Sequence, residues 1–111
     1  MGELYEERRQ EPRFPTNGKY RLQRPRAAEI EGKIIDLSLN GALLELGAST
    51  QLEAGVRCQV SLEFPGLPPF SGDVMLVRLE PTRLGVEFYD MDPQNFAALT
   101  ALIDALKHRR R

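Results

Sequence analysis

Apolar and polar residues alternate through most of the chain up to about residue 90, and beyond it the period lengthens. The cleanest run is 56–64, where Val56, Cys58, Val60, Leu62 and Phe64 fall on one parity, which predicts a strand with a single buried face. Tyr20 and Leu22 alternate with Lys19, Arg21 and Gln23, giving a short strand over 19–24 that Arg24-Pro25-Arg26 breaks. A longer strand is predicted over 27–37, with Ile30 and Ile34 on one face and Glu29, Glu31 and Lys33 on the other. Strict alternation would then place Asp36 on the core face and Ile35 outside. An isolated buried carboxylate is costly, so a bulge or strong twist within 32–35 is expected, restoring Ile35 and Leu37 to the core and turning Asp36 and Ser38 outward. A short apolar strand over 41–46 follows, then a polar connection over 47–55. The runs 70–79 and 84–89 form a pair joined through Glu80-Pro81-Thr82-Arg83, a turn of hairpin length.

After residue 91 the apolar spacing becomes three and four. Phe96, Leu99, Leu102, Ile103 and Leu106 make one stripe of a helix, Asp92 can cap its start, and Pro93 suits the first helical position, where a missing N–H does no harm. The basic end, 107–111, complements the negative pole of the helix. Six antiparallel strands this short cannot hide both faces, so the fold expected is mainly β: a six-stranded antiparallel barrel whose open end or side is covered by a C-terminal α-helix. The residues ahead of it, 8–17, are kept from regular structure by Pro12, Pro15 and the Thr16-Asn17-Gly18 turn signal. A division into a flexible N-terminal arm, 1–18, and a barrel with its helix, 19–111, follows within one domain.

Composition changes this picture little: 111 residues, 41% hydrophobic and 28% charged, fit one soluble globular unit. No apolar run approaches the roughly 20 residues of a membrane span, and the acidic start carries no secretory signal, so the expectation is a cytoplasmic protein without membrane insertion. Cys58 stands alone, which excludes an internal disulfide and a cysteine metal cluster and makes it a small buried hydrophobe. Charge is sorted along the chain. Residues 1–26 hold seven basic and four acidic side chains, and residues 27–106 hold four and twelve. A basic arm beside an acidic body suits a small anion better than a nucleic-acid polymer, and three Tyr, five Phe and no Trp supply few stacking platforms.

The candidate chemistry lies in two stretches. In Asp36-Leu37-Ser38-Leu39-Asn40-Gly41 an extended chain puts a carboxylate and a hydroxyl on one face with Leu37 opposite, and Gly41 lets the chain turn or another group approach its backbone. The same residue types build an ordinary strand-to-strand turn, so the stretch alone leaves turn and site both open. About twenty-five residues upstream lies Glu7-Arg8-Arg9-Gln10-Glu11-Pro12-Arg13-Phe14-Pro15. Pro12 rules out a regular helix there, and guanidinium forks on an irregular arm suit phosphate oxygens and the Hoogsteen edge of guanine.

Taken together, Arg9-x-x-x-Arg13 followed by Asp36-x-Ser38-x-x-Gly41 resembles the PilZ domain family, bacterial receptors of cyclic di-GMP. The resemblance runs from about Glu7 to about Leu106, and Leu84-Gly85-Val86-Glu87-Phe88 looks like the family's closing strand. It implies that Arg9 and Arg13 contact phosphates and guanine edges. Asp36 would accept from the guanine N1 and N2 edge, Ser38 would hydrogen-bond near phosphate or base, and the Gly41 backbone would permit close approach. Arg8, beside the motif, either stacks on a base or is solvated. The function implied is an effector that changes shape on binding the messenger and signals to a downstream protein, as a monomer or homodimer and without a cofactor. Roles for the family include motility and biofilm formation.

An enzyme is disfavoured, because the sole histidine, His108, lies in the basic tail and no nucleophile-base set, metal-ligand pair or phosphate loop is present. The alternative that remains is a PilZ-like protein–protein interaction module that binds no nucleotide.

Overall fold

The structure is a computed structural model and describes residues 14–15, 17–47 and 51–109. Its strands are β1 (Phe14–Pro15), β2 (Lys19–Gln23), β3 (Ile30–Leu37), β4 (Gly41–Glu45), β5 (Arg57–Glu63), β6 (Phe70–Leu79) and β7 (Arg83–Phe88), followed by one helix, α1 (Pro93–Arg109). Strands β2 to β7 pair in the order β3-β2-β5-β6-β7-β4, and β4 pairs back onto β3. The result is the expected closed, six-stranded antiparallel barrel, a closure that leaves no long unpaired edge. Alternation fills its interior. Cys58, Val60 and Leu62 of β5 point in, as do Tyr20 and Leu22 of β2, Val74 and Leu76 of β6, and Leu84 and Val86 of β7. A fully buried Leu or Val contributes about 1.5–3 kcal/mol, and Leu22, Leu62 and Leu84 have no exposed surface at all. Burial pushes the Cys58 thiol pKa up, as befits a core residue.

The helix begins as its sequence dictates. Asp92 Oδ1 accepts a 2.7 Å hydrogen bond from the Asn95 amide, and Asn95 Nδ2 donates to the Ser71 carbonyl at 3.1 Å, tying the first turn to β6. Leu99, Leu102, Ile103 and Leu106 enter the same core as the strands, with α1 against β6 and reaching β1. Phe96 departs from the expected stripe. It sits in the first turn, before the helix settles on the barrel, and remains 49% exposed. No helix among the described residues is long and apolar enough to cross a membrane.

Three further expectations are corrected. Phe14–Pro15 is not irregular: Phe14 pairs with Leu37 and Pro15 with Asp36, on the edge of β3 beside the end of β2. An edge strand tolerates proline, whose missing N–H need not face a partner. The long strand starts at Ile30 rather than 27, because the Arg24 guanidinium reaches over the Arg24-Pro25-Arg26 break and donates to the Ala28 carbonyl at 2.8 and 3.1 Å, holding the chain in a loop. The bulge falls where conflict was expected, but Ile35 is its extra residue and stays half-buried, while Ile34 and Leu37 enter the core.

Tyr20 marks the barrel interior chemically. Its buried phenol donates to the Glu45 carbonyl at 2.7 Å, and burial, with a smaller push from the Glu45 carboxylate, raises its pKa to about 12. An unfolded tyrosine ionises near pH 10. Between these values the unfolded chain has lost a proton that the native chain keeps, so stability from Tyr20 is complete below pH 10 and is lost as the pH rises toward 12. Tyr20→Phe should cost about 1 kcal/mol at neutral pH, and the difference in unfolding free energy between wild type and variant should shrink across pH 10–12. A constant difference there would show that the phenol does not titrate with unfolding.

Candidate functional site

On the outer face of the barrel, β3, β4, β7 and β6 lie side by side and enclose a groove of about 370 Å³. The β3–β4 hairpin supplies Asp36, Ser38, Asn40, Gly41 and Leu43, so the three downstream motif residues are gathered at one place. Two bulges shape it. In β3, Ile34 faces Leu44 and Asp36 faces Leu43, so the extra Ile35 turns the Asp36 side chain onto the groove. In β6, Leu76 faces Val86 and Arg78 faces Gly85, so Val77 is extra and Arg78 is turned outward from the opposite side.

Ser38 does not point away from the protein as expected; it is 6% exposed and lines the cavity. Its hydroxyl accepts from the amides of Asn40 and Gly41 and donates to the Gly41 carbonyl, each at 3.3 Å. One hydroxyl proton and two lone pairs are thereby engaged, and the Ser38 amide adds a 2.9 Å bond to the same carbonyl. Ser38 therefore builds the turn that presents Asp36. Gly41 has a structural reason of its own. A Cβ there would overlap the Val86 carbonyl oxygen and lie 3.0 Å from its carbonyl carbon, so close pairing of β4 with β7 requires glycine.

Arg8, Arg9 and Arg13 lie outside the described residues. The chain that follows them does not: Phe14 pairs with Leu37 and Pro15 with Asp36 itself. The described chain directly after Arg13 therefore lies on the strand edge that carries Asp36.

Arg78 and Glu87, which also line the groove, were missed by sequence reasoning. The signal was present for Arg78: it shares the parity of Val74 and Leu76, both core, and a charged side chain on core parity calls for a bulge. Gly85 opposite it is the second sign, since a Cβ there would lie 3.1 Å from that of Arg78. Neither Arg78 nor Glu87 makes an ion pair or side-chain hydrogen bond among the described residues. A larger depression of about 440 Å³ lies over Lys19, Arg21 and Lys33, but Glu31 and Glu63 alternate with these cations and none of the described motif residues lines it. No group of three His, Cys, Asp or Glu side chains among the described residues could hold a metal ion.

Comparison with known proteins agrees with this architecture. The PilZ domain family model matches residues 7–105. The structure is similar to the PilZ domain of YcgR from Escherichia coli with c-di-GMP, at a TM-score of 0.85 and 19% identity over 94% of this chain and 95% of that one. It is also similar to the Bacillus subtilis inhibitor of motility MotI, at 0.77 and 15% identity over 94% of this chain and 53% of that one. The PilZ domain of CeSA from a cellulose-synthesizing bacterium aligns at 0.75 and 16% identity, over 87% and 99%. The chain spans about half the length of MotI and of YcgR in a second structure, that of its complex with c-di-GMP. No curated protein sequence matches.

Proposed function

The chain belongs to the PilZ domain family, and on that premise we propose that it binds cyclic di-GMP and passes the signal to a partner protein through a change of shape. The observation that carries this reading is the groove that collects Asp36, Ser38 and Gly41 beside the strand edge where Phe14 and Pro15 pair. Asp36 accepts from the N1 and N2 edge of a guanine. Ser38 and Gly41 hold the turn at the right height and lie within reach of the ligand. Arg9 and Arg13 bring guanidinium forks to the phosphates and guanine edges from the arm, and Arg8 beside them either stacks on a base or is solvated. Charge-assisted hydrogen bonds contribute about 1.5–3 kcal/mol each. Several of them, less the cost of ordering the arm, reach the roughly 8 kcal/mol of micromolar binding. Both similar YcgR structures are complexes with c-di-GMP, which supports the choice of ligand.

An arm that closes over the nucleotide is also a switch, because α1 reaches β1, the strand on which the arm is mounted. Closure therefore bears on the helix as well as on the groove, and either surface can present itself to a downstream protein. Calorimetric titration with cyclic di-GMP, GTP and a short single-stranded RNA tests the reading. Saturable heat at micromolar cyclic di-GMP, and not with the other two, is expected. No heat at high micromolar cyclic di-GMP would leave an interaction module without a nucleotide, and equal affinity for RNA would make it a nucleic-acid binder.

A further inference from the structure

The groove has a charge pattern that the two arginine and Asp-Ser-Gly motifs do not explain. Its lining carries two carboxylates, Asp36 and Glu87, and one cation, Arg78. Arg78 sits opposite Gly85, two residues from Glu87 on the neighbouring strand, so the guanidinium and that carboxylate are diagonal neighbours on one face. A phosphate seated beside Arg78 would face the Glu87 carboxylate on the neighbouring strand, a repulsive setting. A guanine base is different: it is uncharged, offers N1–H and N2–H₂ as donors along one edge, and offers O6 and N7 as acceptors along the next. Carboxylates suit the first edge and an arginine fork the second.

We infer that Arg78 is a ligand-binding residue that reads the O6/N7 edge of a guanine whose N1/N2 edge is held by Asp36, so that the groove itself takes part in recognising the base. The proposal rests on the reading of this chain as a cyclic di-GMP receptor and assigns to the groove a part in selecting guanine. Three features carry it. The Val77 bulge turns a residue of core parity outward onto the groove. Gly85 leaves the space in which the Arg78 stem lies close to β7. The guanidinium has no ion pair among the described residues that would hold it elsewhere. Asp36 on β3 and Arg78 on β6 are three strand spacings apart, about 14 Å along the curved face.

The test is calorimetric titration of wild type, Arg78→Met and Arg78→Lys with cyclic di-GMP and with its analogue in which guanine N7 is replaced by a C–H. Both variants should bind cyclic di-GMP about ten- to a hundredfold more weakly, since lysine keeps the charge but cannot make the two-pronged contact. The analogue should bind wild type more weakly than cyclic di-GMP does, and the two ligands should be equivalent on Arg78→Met. Wild type that binds cyclic di-GMP while both variants match it within about twofold would overturn this inference and leave the receptor reading intact. So would full affinity in Arg78→Lys with no penalty for the analogue on wild type, the mark of a charge acting on phosphate. Wild type that binds neither ligand would remove both readings together. Loss of the analogue's penalty on the variants, and not the penalty on wild type alone, separates Arg78 from the arm arginines, and Arg78→Lys supplies that comparison if Arg78→Met folds poorly.

Discussion

On the proposed reading, Arg13→Ala should lower affinity for cyclic di-GMP by about a hundredfold or more, with the melting temperature of the nucleotide-free protein staying within about 4 °C of wild type. The first number follows from losing a two-pronged, charge-assisted contact, worth about 1.5–3 kcal/mol per hydrogen bond, at 1.4 kcal/mol per tenfold. The second is what a side chain that serves the ligand predicts: a cost of about 0.5 kcal/mol or less, at roughly 4–8 °C per kcal/mol for a domain near this size. In the chain Arg13 immediately precedes Phe14, whose backbone is paired to Leu37. Arg13→Lys should recover part of the affinity through charge alone. Raising the salt concentration should weaken wild type more than Arg13→Ala, because an exposed cation facing a dianion is screened. A variant that unfolds, or one that binds as wild type does, would assign the arginine to the scaffold or to solvent.

The arm is also where the reading of the chain from its sequence met its limit. Alternation in β5 and the cap at Asp92 are local properties, written in consecutive residues, and both emerged as expected. The β1 pairing is not local. Pro12 and Pro15 forbid a helix and a central strand, but nothing in their neighbourhood reveals that an edge twenty residues further on will accept Phe14 and Pro15. The bulges are intermediate cases. A clash between parity and polarity announced one near Ile35, yet which residue would be extra depended on how β4 registers against β3. At Arg78 the same clash stood in the sequence, and a run of apolar residues on both sides masked it. Ser38 shows a further reason. Its type suited a ligand contact and a turn equally, and only the three hydrogen bonds around its hydroxyl show that the turn has first use of it. Topology is therefore recoverable from pattern, whereas the division between groove-building and ligand-holding residues needs the strand pairing.

Gly41→Ala separates those two roles in the opposite direction. The motif glycine was expected to let a ligand approach the backbone. The neighbour that a methyl group would actually strike is the Val86 carbonyl, with the Glu87 Cα a further contact at 3.1 Å. Both belong to backbone that cannot swing aside as a side chain does, and both lie in β7, which pairs with β4 from Gly41↔Glu87 to Glu45↔Arg83. The substitution must push these strands apart at one end, loosening the Phe88 amide bond to the Asn40 carbonyl, 2.9 Å long, and the Ser38 turn that depends on Gly41. Overpacking usually costs about 1–3 kcal/mol. A backbone clash belongs at the upper end, so a fall of about 3 kcal/mol in unfolding free energy, and of roughly 10–20 °C in melting temperature, is expected for the nucleotide-free protein. Binding should weaken as well, since Asp36 loses the turn that fixes its height. The two variants therefore form a contrast: Arg13→Ala removes affinity and spares stability, whereas Gly41→Ala removes stability first. A Gly41→Ala protein as stable as wild type but unable to bind would mean that β4 and β7 have room to spare and that the glycine serves the ligand directly.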